Sequence, residues 1–239
     1  MITIIPAIDI IEGKCVRLSQ GDYEQKKIYN EDPLEVAKMF ENNGIRRLHL
    51  VDLDGAKQKH VVNVRVLEKI ATNTGLFIDF GGGIKTDDHL KTVFNCGASQ
   101  VTIGSVAITH PDLFYKWLTK YGSEKLILGA DVKNNKIAVS GWLDISKVHL
   151  FDFVNNYKTK GIKYIICTDI SKDGMLQGTA INLYKELRQR YPDLNIIASG
   201  GISDIKEIVE LDDIGIFGII IGKALYEGKI KITDLKRFL

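Results

Sequence analysis

The chain has 239 residues, of which 45% are hydrophobic and 26% are charged, as in an ordinary globular domain. Its 32 basic and 30 acidic residues leave a formal net charge of only +2, so the charge balance indicates neither a nucleic acid nor a membrane as a partner. No apolar run approaches the length of a membrane span, and MITIIPAIDI lacks the basic start of a signal peptide. Three cysteines without metal or redox spacing predict a reduced, cytoplasmic setting.

Short apolar runs alternate with longer amphipathic stretches along the chain. Strands are predicted at 2–9, 47–52, 76–80, 100–103, 126–131, 163–168, 195–198 and 217–221. Helices are predicted near 33–43, 63–73, 86–95, 111–120, 146–159, 181–190, 203–212 and 232–238. The runs are rich in Ile, Leu and Val, as in parallel strands covered on both faces. Eight such units in this length favour one α/β domain, a (β/α)8 TIM barrel over residues 1–239, above an open sheet.

The second half of the chain repeats features of the first half in the same order. Asp9 and Asp131 each end an apolar run, 122 residues apart, and Asp52 corresponds to Asp169. FGGGI at 80–84 corresponds to SGGI at 199–202, and IGS at 103–105 to IGK at 221–223, with offsets of 118 residues at their glycines. The repeat predicts a barrel built from two similar half-barrels, approximately 1–122 and 123–239.

Glycine turns follow four of the predicted strands, at the barrel face where active sites form. Glycine lets backbone N–H groups approach an anion closely. The predicted phosphate-binding residues are Gly82, Gly83, Gly104, Ser105, Gly200, Gly201, Gly222 and Lys223. The competing interpretation is that the glycines only make tight turns and that Lys223 is solvated. Two symmetric anion sites predict a small-molecule substrate with a phosphate at each end.

Carboxylates at strand ends are the predicted catalytic groups. Asp9 and Asp131 end strands that face each other across the barrel mouth, where paired carboxylates suit general acid–base chemistry. Thr168, Asp169 and Asp173 surround the end of the sixth strand, where each could position a hydroxyl or move a proton. The alternatives are carboxylates that cap loop N–H groups or are solvated. No clustered metal-ligand motif is present, so no metal is expected.

Several longer stretches carry a family resemblance over the whole chain. They are IIPAIDIIEGKCVRLSQGDY, LVDLDGA, FGGGIK, GADVKNNKIAVSGW, CTDISKDGMLQG, ASGGIS and IIGKALYEG. Together they resemble the phosphoribosylformimino-5-aminoimidazole carboxamide ribotide isomerases of histidine biosynthesis. The sister family, the cyclase subunit of imidazole glycerol phosphate synthase, differs after the first strand, where this chain reads VRLSQGDY.

The resemblance implies an Amadori rearrangement of an aminoaldose to an aminoketose without a cofactor. It implies Asp9 as general base, Asp131 as general acid with Asp173 as a rival, and Thr168 as a residue that orients the acid. Arg17 and Trp142 match substrate-contacting positions. Lys85 stands where the family commonly has arginine and, with Asp169, is a further substrate-binding candidate.

Three other interpretations remain open at this point. The chain could be the cyclase, a bifunctional isomerase that also acts on phosphoribosylanthranilate, or a phosphosugar-binding barrel without activity. His49 could face the site or be a packed strand residue. A monomer is the default expectation for a self-contained barrel.

Overall fold

A closed barrel of parallel strands forms the centre of the molecule. The computed structural model describes residues 1–19, 21–139, 141–142 and 144–239. Its strands are β1 (Thr3–Ile11), β2 (Lys14–Ser19), β3 (Asp22–Asn30), β4 (Arg47–Asp52), β5 (Phe77–Gly81), β6 (Gln100–Ile103), β7 (Leu126–Lys133), β8 (Lys136–Val139), β9 (Asp144–His149), β10 (Tyr164–Asp169), β11 (Asn195–Ser199) and β12 (Gly218–Ile221). Among these described strands, β1, β4, β5, β6, β7, β10, β11 and β12 pair in parallel in that order, and β12 pairs with β1. The prediction of a (β/α)8 TIM barrel is therefore confirmed.

Helices cover the outside of the barrel. They are α1 (Pro33–Asn42), α2 (Leu53–Gln58), α3 (Val64–Asn73), α4 (Asp87–Asn95), α5 (Ser105–Thr109), α6 (Pro111–Tyr121), α7 (Leu150–Thr159), α8 (Ile181–Arg190), α9 (Ile205–Asp213) and α10 (Lys223–Tyr226). A 3₁₀ helix, Ile232–Phe238, stands where the sequence predicts the last helix. The start of α1 has the predicted chemistry, because Asp32 accepts a hydrogen bond from the N–H of Leu34 at 3.0 Å and Pro33 occupies the first turn.

Two antiparallel hairpins, which the sequence analysis did not predict, extend from the strands that carry Asp9 and Asp131. The hairpin β2–β3 follows β1, and the hairpin β8–β9 follows β7. The predicted helix 146–159 is wrong at its start, because residues 146–149 belong to β9 and α7 begins at Leu150. The strand β3 reads DYEQKKIYN and is mostly exposed, so it lacks the apolar face by which strands are recognised.

The barrel interior is apolar on one side and polar on the other. The largest core lies between the strands and the outer helices. A second cluster fills the interior with Ile5, Ala7, Ile127, Ile166, Ile197 and Ile220. Across from it, the strands β4, β5 and β6 contribute interior polar side chains: Arg47, His49, Asp79, Gln100 and Thr102. Buried polar groups cost free energy unless they are hydrogen-bonded, and these side chains bond to one another.

Corresponding strands of the two halves pair in the same register. Asp9 of β1 lies opposite Val51 of β4, and Asp131 of β7 lies opposite Thr168 of β10. Both carboxylates therefore stand at the same height at the carboxyl ends of the strands. This agreement in register supports the two half-barrels that the sequence offsets predict.

The turn after β5 generates a prediction about stability. Gly83 has φ +76°, and a Cβ there would overlap the carbonyl of His60, whereas Gly13 has φ +75° and open space around it. We expect Gly13→Ala to lower the free energy of unfolding by about 1 kcal/mol through backbone strain alone. We expect Gly83→Ala to cost about 1–3 kcal/mol more, because a clash adds to that strain. Urea unfolding of both variants measures the difference, and equal losses would contradict the steric argument.

Candidate active site

A cavity of about 250 Å³ opens at the carboxyl ends of the barrel strands. Eleven of the predicted site residues line it: Asp9, Arg17, Gly82, Gly83, Lys85, Gly104, Ser105, Asp131, Trp142, Thr168 and Asp173. A smaller cavity of about 20 Å³ is lined by Gly200, Gly201, Gly222 and Lys223, and shares Arg17 and Asp173 with the larger one. The structure therefore brings the catalytic candidates and both sets of glycine turns to one face of the barrel.

Asp9 is held at the end of β1 by a cation from the neighbouring hairpin. Its carboxylate forms an ion pair with the guanidinium of Arg17 in β2, at 2.9 Å, and 13% of its side chain is exposed. Burial raises the pKa of Asp9, Arg17 opposes that rise, Asp173 adds to it and His49 opposes it. The net pKa lies above the ordinary value for aspartate, while an adjacent positive charge favours the ionised form.

Asp131, at the corresponding end of β7, has neutral donors in place of that cation. The indole N–H of Trp142 donates to its carboxylate at 2.8 Å, and Thr168 also hydrogen-bonds to it. Burial raises the pKa of Asp131, the Trp142 and Thr168 hydrogen bonds lower it, and the charge of Asp173 raises it again. The two carboxylates thus occupy equivalent positions in different electrostatic environments.

Arg17 connects Asp9 to the turn after β12. The guanidinium lies so close to Gly222 that a Cβ on that residue would overlap its Cζ. Among the described residues, its buried Nε has no hydrogen-bond partner within the protein. The side chain of Arg17 thus fills the gap between the carboxylate and the glycine turn.

The glycine turns have matching backbone conformations in the two halves. Gly82–Gly83 have φ values of +100° and +76°, and Gly200–Gly201 have +92° and +82°. Gly104 and Gly222 have φ, ψ of −98°, −91° and −110°, −98°, and each precedes a short helix, α5 or α10. Consecutive residues with φ above zero are accessible mainly to glycine, which explains why both turns use it.

The charged candidates near the turns differ in their environments. Lys85 is half-buried at the cavity wall, and its pKa is lowered by burial and by the neighbouring Lys59. The ammonium of Lys223 donates to the carbonyl of Gly174 at 2.8 Å, which connects the last turn to the loop after β10.

Asp169 is not brought into either cavity. Its carboxylate accepts hydrogen bonds from the backbone N–H and the hydroxyl of Ser171, at 3.0 and 2.6 Å. This is the geometry of a residue that shapes its own turn.

His49, for which the sequence allows either a packed or a cavity-facing position, belongs to a polar network at the base of the cavity. The imidazole Nδ1 of His49 lies 2.5 Å from Oδ2 of Asp79, and the hydroxyl of Thr102 donates to Oδ1 of Asp79 at 2.6 Å. His49 and Thr102 also line the cavity. The sequence contains a signal for this network, because His49 and Asp79 are polar residues inside the apolar runs LHLVD and FIDFG.

Gly21 of the first hairpin and Trp142 of the second lie against each other at the mouth of the cavity. A Cβ on Gly21 would lie 2.6 Å from Cε3 of Trp142, so the indole ring rests on the first hairpin. In the described ranges, no cluster of three or more His, Cys, Asp or Glu side chains could hold a metal ion. No helix among the described residues is long and apolar enough to cross a membrane.

The different partners of the two carboxylates predict opposite effects on stability. Burial disfavours ionised Asp131 and raises its pKa in the folded protein above the value in the unfolded chain. The free energy of unfolding therefore falls as pH rises from the unfolded pKa to the folded pKa. We expect Asp131→Asn to raise the free energy of unfolding at pH 7 by roughly 1 kcal/mol, with the gain disappearing below pH ~4.

Asp9→Asn is the matched comparison, because it leaves the guanidinium of Arg17 buried without its carboxylate. We expect this variant to be less stable than the parent protein at pH 7. Chemical unfolding at pH 3.5 and pH 7 measures both effects, and equal shifts for the two variants would contradict the difference in environment.

Comparison with known proteins agrees with this geometry. The family model described as "Histidine biosynthesis protein" matches residues 3–231. Proteins named 1-(5-phosphoribosyl)-5-((5-phosphoribosylamino)methylideneamino) imidazole-4-carboxamide isomerase are similar over their full length: those of Bacteroides thetaiotaomicron and Parabacteroides distasonis are 62% and 60% identical, covering 100% of both chains. The protein of that name from Flavobacterium johnsoniae is 58% identical over 99% of this chain and 98% of its own length. The chain therefore belongs to the histidine biosynthesis protein family.

Proposed function

We propose that this chain is the isomerase of histidine biosynthesis, which converts a diphosphorylated ribosylamino compound into its ribulosylamino isomer. The observation that carries the proposal is the pair of carboxylates, Asp9 and Asp131, that line one cavity together with the glycine turns. Relatives at 55–62% identity carry the name of this isomerase. An aldose–ketose isomerisation by proton transfer requires a base and an acid on one substrate, and Asp9 and Asp131 are the residues that we assign to these roles.

The substrate's two phosphates would bind at the two sets of turns. Gly82, Gly83, Gly104 and Ser105 form the first site, with Lys85 beside it. Gly200, Gly201, Gly222 and Lys223 form the second. Backbone N–H groups in such turns bind anions without a cation. The matching turn geometry in the two half-barrels, 1–122 and 123–239, supports a substrate that spans the mouth.

Asp131 would act first, as the general acid. Protonated Asp131 gives its proton to the ribose ring oxygen, the bond from that oxygen to C1′ breaks, and the nitrogen lone pair forms a protonated Schiff base at C1′. Burial raises the pKa of Asp131, which favours the protonated form that this step requires. Thr168 and Trp142 orient it through their hydrogen bonds.

Asp9 would then act as the general base. Its carboxylate removes the C2′ proton, and the electron pair forms a C1′–C2′ double bond while the C1′–N π electrons return to nitrogen. Asp9 delivers the proton to C1′, and the C2′ hydroxyl returns its proton to Asp131, which gives the ketone and restores both residues. Arg17 favours the ionised form of Asp9 that the step requires.

The proposal includes several narrower assignments. Asp173 lines both cavities and is the alternative acid. Asp169 would contribute to the substrate site through the loop it shapes, since its carboxylate bonds to Ser171. We infer a cytoplasmic monomer that needs no cofactor and binds neither nucleic acid nor membrane.

The direct test is turnover of the aminoaldose by the purified chain. We expect ketose formation without ammonia or a glutaminase partner, and a loss of at least ~100-fold in kcat for Asp9→Asn because the base is removed. No turnover of the aminoaldose would contradict the isomerase proposal. Turnover of the aminoketose with ammonia would then indicate the cyclase, and turnover of neither compound would indicate a binding barrel. The same preparation assayed on phosphoribosylanthranilate decides whether a second isomerase activity is present.

The pH profile of kcat/KM tests which carboxylate is base and which is acid. Arg17→Met removes the cation beside Asp9, so the pKa of Asp9 should rise and the acidic limb should move up by about one to two pH units. Trp142→Phe removes a donor to Asp131, so the alkaline limb should move up by roughly half a unit. An unmoved alkaline limb in Trp142→Phe would favour Asp173 as the acid.

A further inference from the structure

The two half-barrels differ at the base of the cavity, below the aspartates and glycine turns that occur in both halves. The offsets that relate the paired features, 117 residues from Asp52 to Asp169 and 118 from Gly82 to Gly200, also relate three interior positions. His49, Asp79 and Thr102 in the first half correspond to Ile166, Ile197 and Ile220 in the second. The strand register agrees, because His49 lies opposite Asp79 and Ile166 lies opposite Ile197.

One half thus carries an ionisable network where the other carries three isoleucines. Asp79 is 6% exposed, and its two oxygens are taken by His49 at 2.5 Å and Thr102 at 2.6 Å. The corresponding isoleucines belong to the apolar cluster inside the barrel. Packing alone is satisfied by isoleucine at these positions, so the polar set calls for another explanation.

Negative charge surrounds the imidazole of His49. Burial alone would lower its pKa, but the charge and hydrogen bond of Asp79 and the charges of Asp9 and Asp131 together raise it. Arg47, two residues earlier on the same strand, donates to Gln100 and lies over the ring of Phe77. At the mouth, Asp173 raises the pKa of both Asp9 and Asp131, and Arg17 lowers that of Asp9.

We propose that His49, held as an imidazolium by Asp79 and Thr102, is a positioning residue of the isomerase: a fixed cation beneath Asp9 and Asp131 that keeps the buried carboxylates from both being protonated. The inference rests on the proposed function, since it assigns a role in that proton chemistry. Arg17 is adjacent to Asp9 alone, whereas His49 lowers the pKa of both carboxylates. Thr102 fixes the carboxylate of Asp79, which in turn fixes the ring through Nδ1.

The first experiment is the pH profile of kcat/KM for His49→Gln, whose amide retains a donor for Asp79. Loss of the cation should raise the pKa values of both carboxylates, so both limbs should move to higher pH by roughly one unit. On the acidic limb this shift appears as a loss of about 10-fold that a higher pH restores. Asp79→Asn should move the limbs in the same direction, because it removes the anion that keeps the ring protonated.

Ile197→Val is the matched control, because it changes packing at the position that corresponds to Asp79 without changing charge. We expect it to lower Tm and to leave both limbs in place. A loss of activity in His49→Gln that is uniform across pH, with both limbs unmoved as expected for the control, would overturn the proposal.

The second experiment follows the imidazole itself by NMR and needs no turnover. The ring of His49 should remain protonated at pH 7.5 in the parent protein and become neutral in Asp79→Asn. The signal is assigned in a variant in which the four other histidines, His60, His89, His110 and His149, are replaced. A neutral ring at pH 7.5 in the parent would overturn the proposal, whereas absence of turnover in the parent would count against the proposed function alone.

Discussion

The burial of two carboxylates at the barrel mouth is the constraint on which the rest of the site depends. Asp9 and Asp131 each lie two residues before the end of a mainly apolar strand, β1 or β7, and burial disfavours their ionised forms. Each carboxylate is stabilised by the hairpin that follows its own strand, through Arg17 in one case and Trp142 in the other. The hairpins are therefore part of the candidate site, because without them Asp9 would lose its ion pair with Arg17 and Asp131 would keep only the hydrogen bond from Thr168.

The two half-barrels share one backbone geometry, but equivalent residues in them have different partners. The register, the glycine turns and the height of the two aspartates match between the halves. A guanidinium lies beside one aspartate and neutral donors lie beside the other. Different environments push the pKa values of paired carboxylates apart, which is the condition under which one can act as an acid and the other as a base. The difference arises in hairpins and barrel interior, while the repeated strands and turns keep the common geometry.

The parts of the structure that follow from repeated sequence patterns could be predicted from the sequence. Eight apolar runs and paired glycine turns were enough for the barrel and for most of the residues at its mouth. The hairpins were missed because β3 is charged and exposed, and because residues 146–149 continue an apparently helical stretch. The pairing of Asp52 with Asp169 shows a second limit. Asp52 is fully buried and accepts from Gly55, Val62 and Asn63, and Asp169 bonds to Ser171, so both shape loops rather than face the cavity.

The loop after β10 connects Asp173, the alternative acid, to the turns proposed to bind the second phosphate. Lys223 donates to the carbonyl of Gly174, next to Asp173, and the N–H of Gly178 donates to the carbonyl of Gly201. Glu207 at the start of α9 accepts from the N–H of Thr179 at 2.7 Å, which fixes the other end of the loop. The segments after β11 and β12 carry these anchors, so the loop that holds Asp173 is attached to the same turns that would bind a phosphate. If the proposed function is correct, a phosphate bound at these turns would influence Asp173 through geometry as well as through charge.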